Sequence, residues 1–300
     1  MGYMHIDNLY KLQDILMFKK CYALEKIHGS SAHVSWDGNQ LHLFSGGESH
    51  EQFAKIFNQD ALKAKFLEMG IGPGRKAIVF GEVYGGRCQA MSHTYGKELK
   101  FIAFDVNIDE CWLDVPKAEC FVKDLGLEFV HYVKVSTDLA ALDAERDAPS
   151  VQAVRNGVTT SEDFMNGKGK MREGIVLRPL VELRKNNGSR IICKHKGEKF
   201  QETKTPRPVV DPAKMQVLAD AETVAEEWVT ATRLQHVLDK LPGHSMEKMR
   251  EIIAAMTEDV LREGSGEIVE SETVKKAIGK KTALAYKDYL KVKLHEQAVS

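Results

Sequence analysis

Tyr22-Ala23-Leu24-Glu25-Lys26-Ile27 reads as a strand that delivers a lysine into a turn at His28-Gly29. An amine leaving a strand in this way is fixed in place and can face a pocket. The neighbouring glycine lets backbone approach a phosphate closely. Lysine is a nucleophile only when neutral, so a site that uses it must lower its pKa. The spacing alone says little, because Lys-x-x-Gly recurs at Lys123/Gly126, Lys185/Gly188, Lys194/Gly197, Lys240/Gly243 and Lys276/Gly279. The meaning of Lys26 therefore depends on the strands around it.

Outward from this strand, Ala32–Trp36 and Leu41–Phe44 read as two more, joined by a turn at Asp37-Gly38-Asn39. His50–Phe57 and Ala61–Met69 read as helices and Gly70–Arg75 as a loop. Ala77–Tyr84 and Lys100–Asn107 are strands, and Pro116–Leu125 is a helix opened by proline. After Tyr132–Val135 a polar, helix-prone stretch runs to Asn156, followed by the strands Gly174–Leu180 and Arg190–His195. Lys204-Thr205-Pro206-Arg207-Pro208 reads as an extended linker, since proline disfavours helix in the residue before it. Beyond it the periodicity turns helical. Asp211-Pro212 offers an N-cap and a first-turn proline, and Val217, Leu218, Ala221, Val224, Ala225, Trp228 and Val229 form a stripe, more in keeping with helix core than with a cofactor site. That run stops at Pro242-Gly243. A second helix starts near Ser245 and a third near Ser271, with Gly279 as a candidate break. The expected organisation is α+β: a strand-rich domain over residues 1–207, then a smaller all-helical domain over 208–300.

Composition narrows the function classes. With 300 residues, 43% hydrophobic and 28% charged, the chain has the make-up of an ordinary soluble globular protein, not of a disordered or collagen-like one. Its longest uncharged apolar runs, such as Ile102–Phe104 and Ile175–Leu177, are strand-sized and too short to span a bilayer. A net charge of −1 gives no global signal for nucleic acid, so any polyanion site has to be built locally. The first residues lack the pattern of a signal peptide, and Ile6 argues against myristoylation. Cys21, Cys88, Cys111, Cys120 and Cys193 are odd in number and lack C-x-x-C spacing. They read as small core residues of a protein in a reducing cytoplasm, not as disulfides or zinc ligands.

Four further segments place chemistry at strand ends. Phe80-Gly81-Glu82-Val83-Tyr84-Gly85-Gly86 puts a carboxylate late in a strand, with Phe80, Glu82 and Tyr84 nominally on one face. Phe104 and Asp105 are adjacent and nominally on opposite faces. Arg172-Glu173-Gly174-Ile175-Val176 has a carboxylate at the mouth of a buried strand, and Lys194-His195-Lys196 ends another with two lysines on one face. Two such cations repel each other unless an anion lies between them, and phosphate is the usual one. Residues 168–204 hold eleven basic side chains against four acidic ones.

The ordered set Lys26-x-x-Gly29, Phe80-Gly81-Glu82, Phe104-Asp105, Glu173-Gly174-Ile175-Val176 and Lys194-x-Lys196 resembles motifs I, III, IIIa, IV and V of the covalent nucleotidyltransferases. These are ATP-dependent DNA ligases, RNA ligases and capping enzymes. Glu-Lys-Ile-His-Gly, with histidine inside motif I, is similar to the RNA ligase 2-like branch. The resemblance covers roughly residues 22–200. It implies an ATP-grasp-like nucleotidyltransferase fold of antiparallel sheets with flanking helices. It also implies an enzyme that joins 5′-phosphate and 3′-OH ends of RNA through lysyl-AMP and adenylylated RNA, with ATP and Mg²⁺ (or Mn²⁺) as cofactors. Lys26, Lys194 and Lys196 would be catalytic, the last two holding the α-phosphate. Glu25, Ile27, His28, Gly29, Glu82, Phe104 and Glu173 would complete the nucleotide site, with Phe104 stacked on adenine, Glu25 at its edge, Glu82 near the ribose or the Lys26 amine, and Glu173 orienting the metal.

The chain also departs from the family pattern. No arginine follows motif I at the usual distance, where Leu43-Phe44-Ser45-Gly46-Gly47-Glu48 stands instead. Backbone amides of Ser45–Gly47 could form an anion nest there, and Arg87 is another candidate for contact with nucleic acid. Ser31 stands two residues after Gly29, where the family often has another polar residue. The helical C-terminal domain fits the RNA ligase 2-like branch better than one with a β-rich OB domain, and it is expected to bind RNA or play an accessory role. There Lys275, Lys276, Lys280, Lys281, Lys287, Lys291 and Lys293 have Asp288 as the sole acid among them, and Lys275 and Lys276 are candidate RNA contacts. A monomer with no membrane association is favoured. The competing readings are a DNA or mixed-substrate nick ligase and a non-catalytic nucleotide- or RNA-binding module.

Overall fold

Strands form where β-branched and aromatic runs end in Gly, Asn or Asp turns. They are β1 (Lys20–Lys26), β2 (Ser30–Trp36), β3 (Leu41–Ser45), β4 (Ala77–Gly85), β5 (Leu99–Ile108), β6 (Cys111–Trp112), β7 (Tyr132–Ser136), β8 (Gly174–Pro179) and β9 (Cys193–Lys196). The computed structural model describes residues 2–209, 218–241 and 243–299, with side chains through residue 294. The expected helix start at Asp211-Pro212, Val217 and the stop at Pro242 lie outside the described residues. Two units divide the chain, Met1–Gly197 and Glu198–Ser300.

All nine strands belong to the first unit and pair antiparallel in two sheets. The four-stranded sheet has the order β7-β1-β8-β9, and the five-stranded sheet the order β3-β2-β4-β5-β6. Residues 7–9 extend the first sheet beyond β9: Leu9 N–H donates to Lys194 O and Lys194 N–H to Asp7 O, both at 2.8 Å. The helices of this unit are α1 (His50–Ala54), α2 (Gln59–Glu68), α3 (Ser92–Tyr95), α4 (Val115–Asp124), α5 (Leu139–Arg146), α6 (Val151–Arg155) and α7 (Ser161–Met165). One face of the five-stranded sheet is closed by α2 and α4, where Trp36 stacks on Phe66 and Phe66 meets Phe121. Asp114 caps α4 by accepting from Lys117 N–H.

Several boundaries differ from expectation, each for a local reason. The strand expected at Arg190 begins at Cys193, because the backbone of residues 190 and 191 pairs with Arg184 and Leu183 instead of β8: Ile191 N–H donates to Leu183 O at 3.1 Å. The helix-prone stretch to Asn156 is two helices, α5 and α6, separated at Ala148-Pro149. Between β4 and β5 the register passes from Phe80↔Asp105 to Gly81↔Ala103, so Phe104 is an extra, bulged residue. The bulge undoes the expected alternation. Phe104 packs edge-on to the Tyr3 ring at 4.9 Å, while Asp105 accepts from the Tyr3 hydroxyl at 2.7 Å, so both reach one neighbour.

The second unit is helical: α8 (Ala221–Trp228), α9 (Ala231–Asp239), α10 (Met249–Glu263) and α11 (Glu272–Val299). Trp228, Leu238, Ile252, Met256, Ile278 and Tyr286 form its core. Buried Arg233 pairs with Asp259 at 2.6 Å and Glu202 at 3.3 Å. Gly279 does not break α11. A Cβ there would lie 3.2 Å from Ile253, so this glycine admits α10 at close range. Residues of the expected linker are bonded within this unit: Lys204 N–H donates to Glu227 O, and Arg207 pairs with Glu227 and Glu267.

Candidate active site

β8 lies between β1 and β9, and their register aligns Lys26 with Gly174 and Gly174 with Lys196. Two lysines from separate strands thereby flank the start of β8, where Glu173 is buried. Lys26 Nζ is 3.0 Å from Glu173 Oε2, His28 Nδ1 is 3.2 Å from the same oxygen, and Lys196 Nζ is 3.1 Å from Oε1. Burial alone would raise the Glu173 carboxyl, but Lys26, Lys196 and His28 together hold it well below the ordinary carboxylate range. The anion expected beside the strand-end lysines is thus, for Lys196, a carboxylate of the chain itself. Lys194 lies one register step deeper, opposite Val176, and is buried. The Lys26 side chain remains 24% exposed, so its amine is reachable.

Glu82 approaches from the five-stranded sheet. Burial pushes its carboxyl up to about 7, with Lys26 opposing and Glu173 reinforcing the shift. Gly29 makes the approach possible. A Cβ at this residue would lie 2.2 Å from Val83 O and 2.9 Å from Glu82 Cγ, so any side chain would push the Lys26 turn off β4. His28 N–H donates to the buried Tyr95 hydroxyl at 3.2 Å, which anchors the other side of the turn, and Ile27 packs into the core.

Glu25 is used differently from expectation. It points away from Lys26 along the strand alternation and accepts from Ser150 Oγ (2.6 Å), Val151 N (3.0 Å) and Gln152 N (3.3 Å), holding the N-terminus of α6. Those bonds take the carboxylate expected at a purine edge. Part of the basic run also has a structural use. Arg172 pairs with Glu145, Arg178 and Arg190 share Asp105 and Glu182, and Lys185 pairs with Asp14. The proposed amide nest is likewise occupied: Gly46 N–H donates to Ser31 O, and Gly47 and Glu48 N–H donate to Ser45 Oγ. Arg87 is exposed after the left-handed pair Gly85-Gly86, next to Cys88, whose sulfur lies 3.7 Å from Ser30 Oγ. In the second unit Lys275 pairs with Glu270 and Glu272, and Lys276 is exposed.

Tyr3, Tyr95, Ser150 and Gln152 were not among the expected residues. Each acts through a contact distant in sequence, and no local pattern marks it. Among the described residues no three or more His, Cys, Asp or Glu side chains gather as a metal site. Glu173 still offers a carboxylate at the mouth of β8. That donor suits Mg²⁺ or Mn²⁺, which take one or two carboxylates and fill the shell with substrate phosphate and water. No helix among the described residues is long and apolar enough to cross a membrane.

The fold has counterparts among solved structures. A Naegleria gruberi RNA ligase with pyrophosphate is 15% identical, with a TM-score of 0.50 over 67% of this chain and 57% of that one. A lysine-to-alanine variant of that ligase with ATP and manganese gives the same values, and a glutamate-to-alanine variant with AMP and manganese matches at 14% identity and a TM-score of 0.50. The match spans little more than half the length of those proteins. No curated protein sequence matches the chain. The sequence profile of the RNA ligase family, however, matches residues 19–196, the stretch that supplies Lys26, Glu82, Glu173 and Lys196. The chain belongs to the RNA ligase family.

Proposed function

We propose that this chain is an ATP-dependent RNA ligase that joins a 5′-phosphate end to a 3′-OH end. The observation that carries the reading is the reachable amine of Lys26, 3.0 Å from a buried carboxylate that also binds His28 and Lys196. In the first step Lys26 Nζ attacks the α-phosphorus of ATP. An N–P bond forms, the bond to the bridging oxygen breaks, and pyrophosphate leaves with the electron pair. The proton lost from the amine passes to a neighbouring carboxylate, and Glu82, titrating at about 7, is suited to take it. Lys194 and Lys196 hold the α-phosphate and balance its charge, while Phe104 offers a ring to adenine and His28 supports the phosphate. A divalent cation held by Glu173 would lower the charge that the amine must approach.

An oxygen of the RNA 5′-phosphate then attacks the lysine-bound phosphorus. The Lys26 nitrogen leaves and regains a proton, and a 5′-5′ pyrophosphate linkage results. The 3′-oxygen of the second end finally attacks the RNA phosphorus, its proton passes to water, the P–O bond to AMP breaks and AMP leaves with the electron pair. Arg87, Lys275 and Lys276 are the proposed contacts to RNA phosphates.

Incubation with α-labelled ATP and Mg²⁺ or Mn²⁺, followed by denaturing electrophoresis, tests the first step. Labelled protein is expected, and its absence in Lys26→Ala. Label that survives this substitution moves the nucleophile elsewhere, and wild-type protein without label points to a binding module. Nicks with RNA or DNA on the 3′-OH side then decide the substrate.

A further inference from the structure

Among the described residues, Phe44 is the one exposed aromatic; every other Phe, Tyr and Trp is buried or half-buried. Its setting is unusual for an edge strand. β3 alternates, with Leu41 and Leu43 packed against the core and Phe44, 44% exposed, on the face where a polar residue is ordinary. The ring is backed by another. His33 lies opposite in register, with ring centroids 5.0 Å apart and planes 21° from parallel. His33 leans on Phe80 at 5.7 Å, Phe80 on Tyr3 at 5.1 Å, and Tyr3 on Phe104. Burial lowers His33 to about 4, so the ring under Phe44 is neutral near pH 7.

This row leads to the reaction centre. The next register pair on the same face of β2 and β4 is Ser31↔Glu82. Strand spacing and rise put Phe44 roughly 12 Å from Glu82. That is the span of about three or four stacked nucleotides. An ionic hold on a phosphate is poorly provided for here. Ser45–Glu48 has no basic side chain, its amides at 46–48 are already bonded, and Glu48 is an acid. A flat, uncharged group suits the place better.

We infer that Phe44, backed by His33, is a stacking platform for an unpaired nucleobase of an RNA strand near the end being joined. The inference rests on the ligase reading and adds to it a base contact that phosphate-binding lysines do not supply. Stacking of one base on an aromatic ring is worth roughly 5- to 150-fold in affinity and tolerates any base. Unlike a phosphate contact, it releases no counterions, so it depends little on salt.

The test uses the full chain and RNA oligonucleotides with 2-aminopurine at successive positions from the joined end. Quenching at one position is expected in the wild-type complex, nearly unchanged between about 50 and 200 mM salt. Phe44→Ala should remove the quench and weaken binding roughly 5- to 150-fold. Phe44→Trp should retain both, whereas Phe44→Leu, which preserves apolar contact with His33, should not. An unchanged quench in Phe44→Ala, or equal behaviour of the Leu and Trp variants, overturns the platform. Lysyl-adenylate is measured in the same samples. A wild-type protein that forms none overturns the ligase reading, and one that forms it while Phe44→Ala still quenches overturns the platform alone.

Discussion

Lys26 and Lys196 come from different strands and meet on one buried carboxylate, whereas Lys275, Lys281 and Lys291 lie along a single helix and each pairs with acids of its own. The acids differ too. Glu173 is 2% exposed, while Glu270, Glu272, Glu226 and Asp288 are all at least half exposed. Exposed pairs contribute about 0–1 kcal/mol each, because water screens them and long side chains lose freedom. Breaking a buried set costs about 3–5 kcal/mol, because it leaves charge without a partner. A density of lysines in sequence therefore says little until burial shows which of them converge.

The contrast can be broken at several points. Lys26→Ala should abolish protein labelling by α-labelled ATP outright, and residual label on another residue would show that the convergence does not serve transfer. Glu173→Ala leaves Lys26, Lys196 and His28 facing one another. Denaturant unfolding should show a loss of about 3–5 kcal/mol together with lost labelling, and Glu173→Gln should be milder in stability but not in labelling. Gly29→Ala forces the Lys26 turn away from β4, so labelling should fall about 100-fold while circular dichroism shows a folded chain.

Glu82 gives a pH-dependent test. Burial favours its protonated form, so below about 7 it is neutral, and above that it becomes an anion able to accept the Lys26 proton. The labelling rate should rise between pH 6 and 8, and Glu82→Gln should flatten that limb. Smallest is the effect expected in α11. Lys275→Ala and Lys276→Ala should leave labelling intact, change stability by less than about 0.5 kcal/mol, and each lower the salt slope of RNA binding by about one. If they reduced labelling as much as Lys196→Ala, the contrast between the units would fail.

Much of this was legible beforehand. Tyr22–Ile27, Leu41–Phe44 and Gly174–Leu180 were readable as strands because alternation and turn residues are local signals. The helical periodicity after residue 218 was equally local. Lys26, Glu82, Glu173 and Lys196 stood out because strand ends with fixed neighbours are also local patterns. What escaped was long-range. The α6 N-terminus that takes up Glu25 lies over a hundred residues away in the chain, and the bulge at Phe104 depends on the partner strand. Charge counts misled for a related reason. Arg172, Arg178 and Arg190 raise the local positive balance, yet all three are buried in pairs with acids elsewhere in the fold.

The backbone bonds from Asp7 and Leu9 to Lys194 carry a practical corollary for anyone trimming this protein. A shortened version beginning at residue 10 would strip the outermost ribbon from the four-stranded sheet and bare the amide and carbonyl of Lys194. An uncovered border of that kind invites self-association. It would also loosen the segment that ends in Lys196, so such a version should clump and adenylylate poorly, though every motif in it is intact.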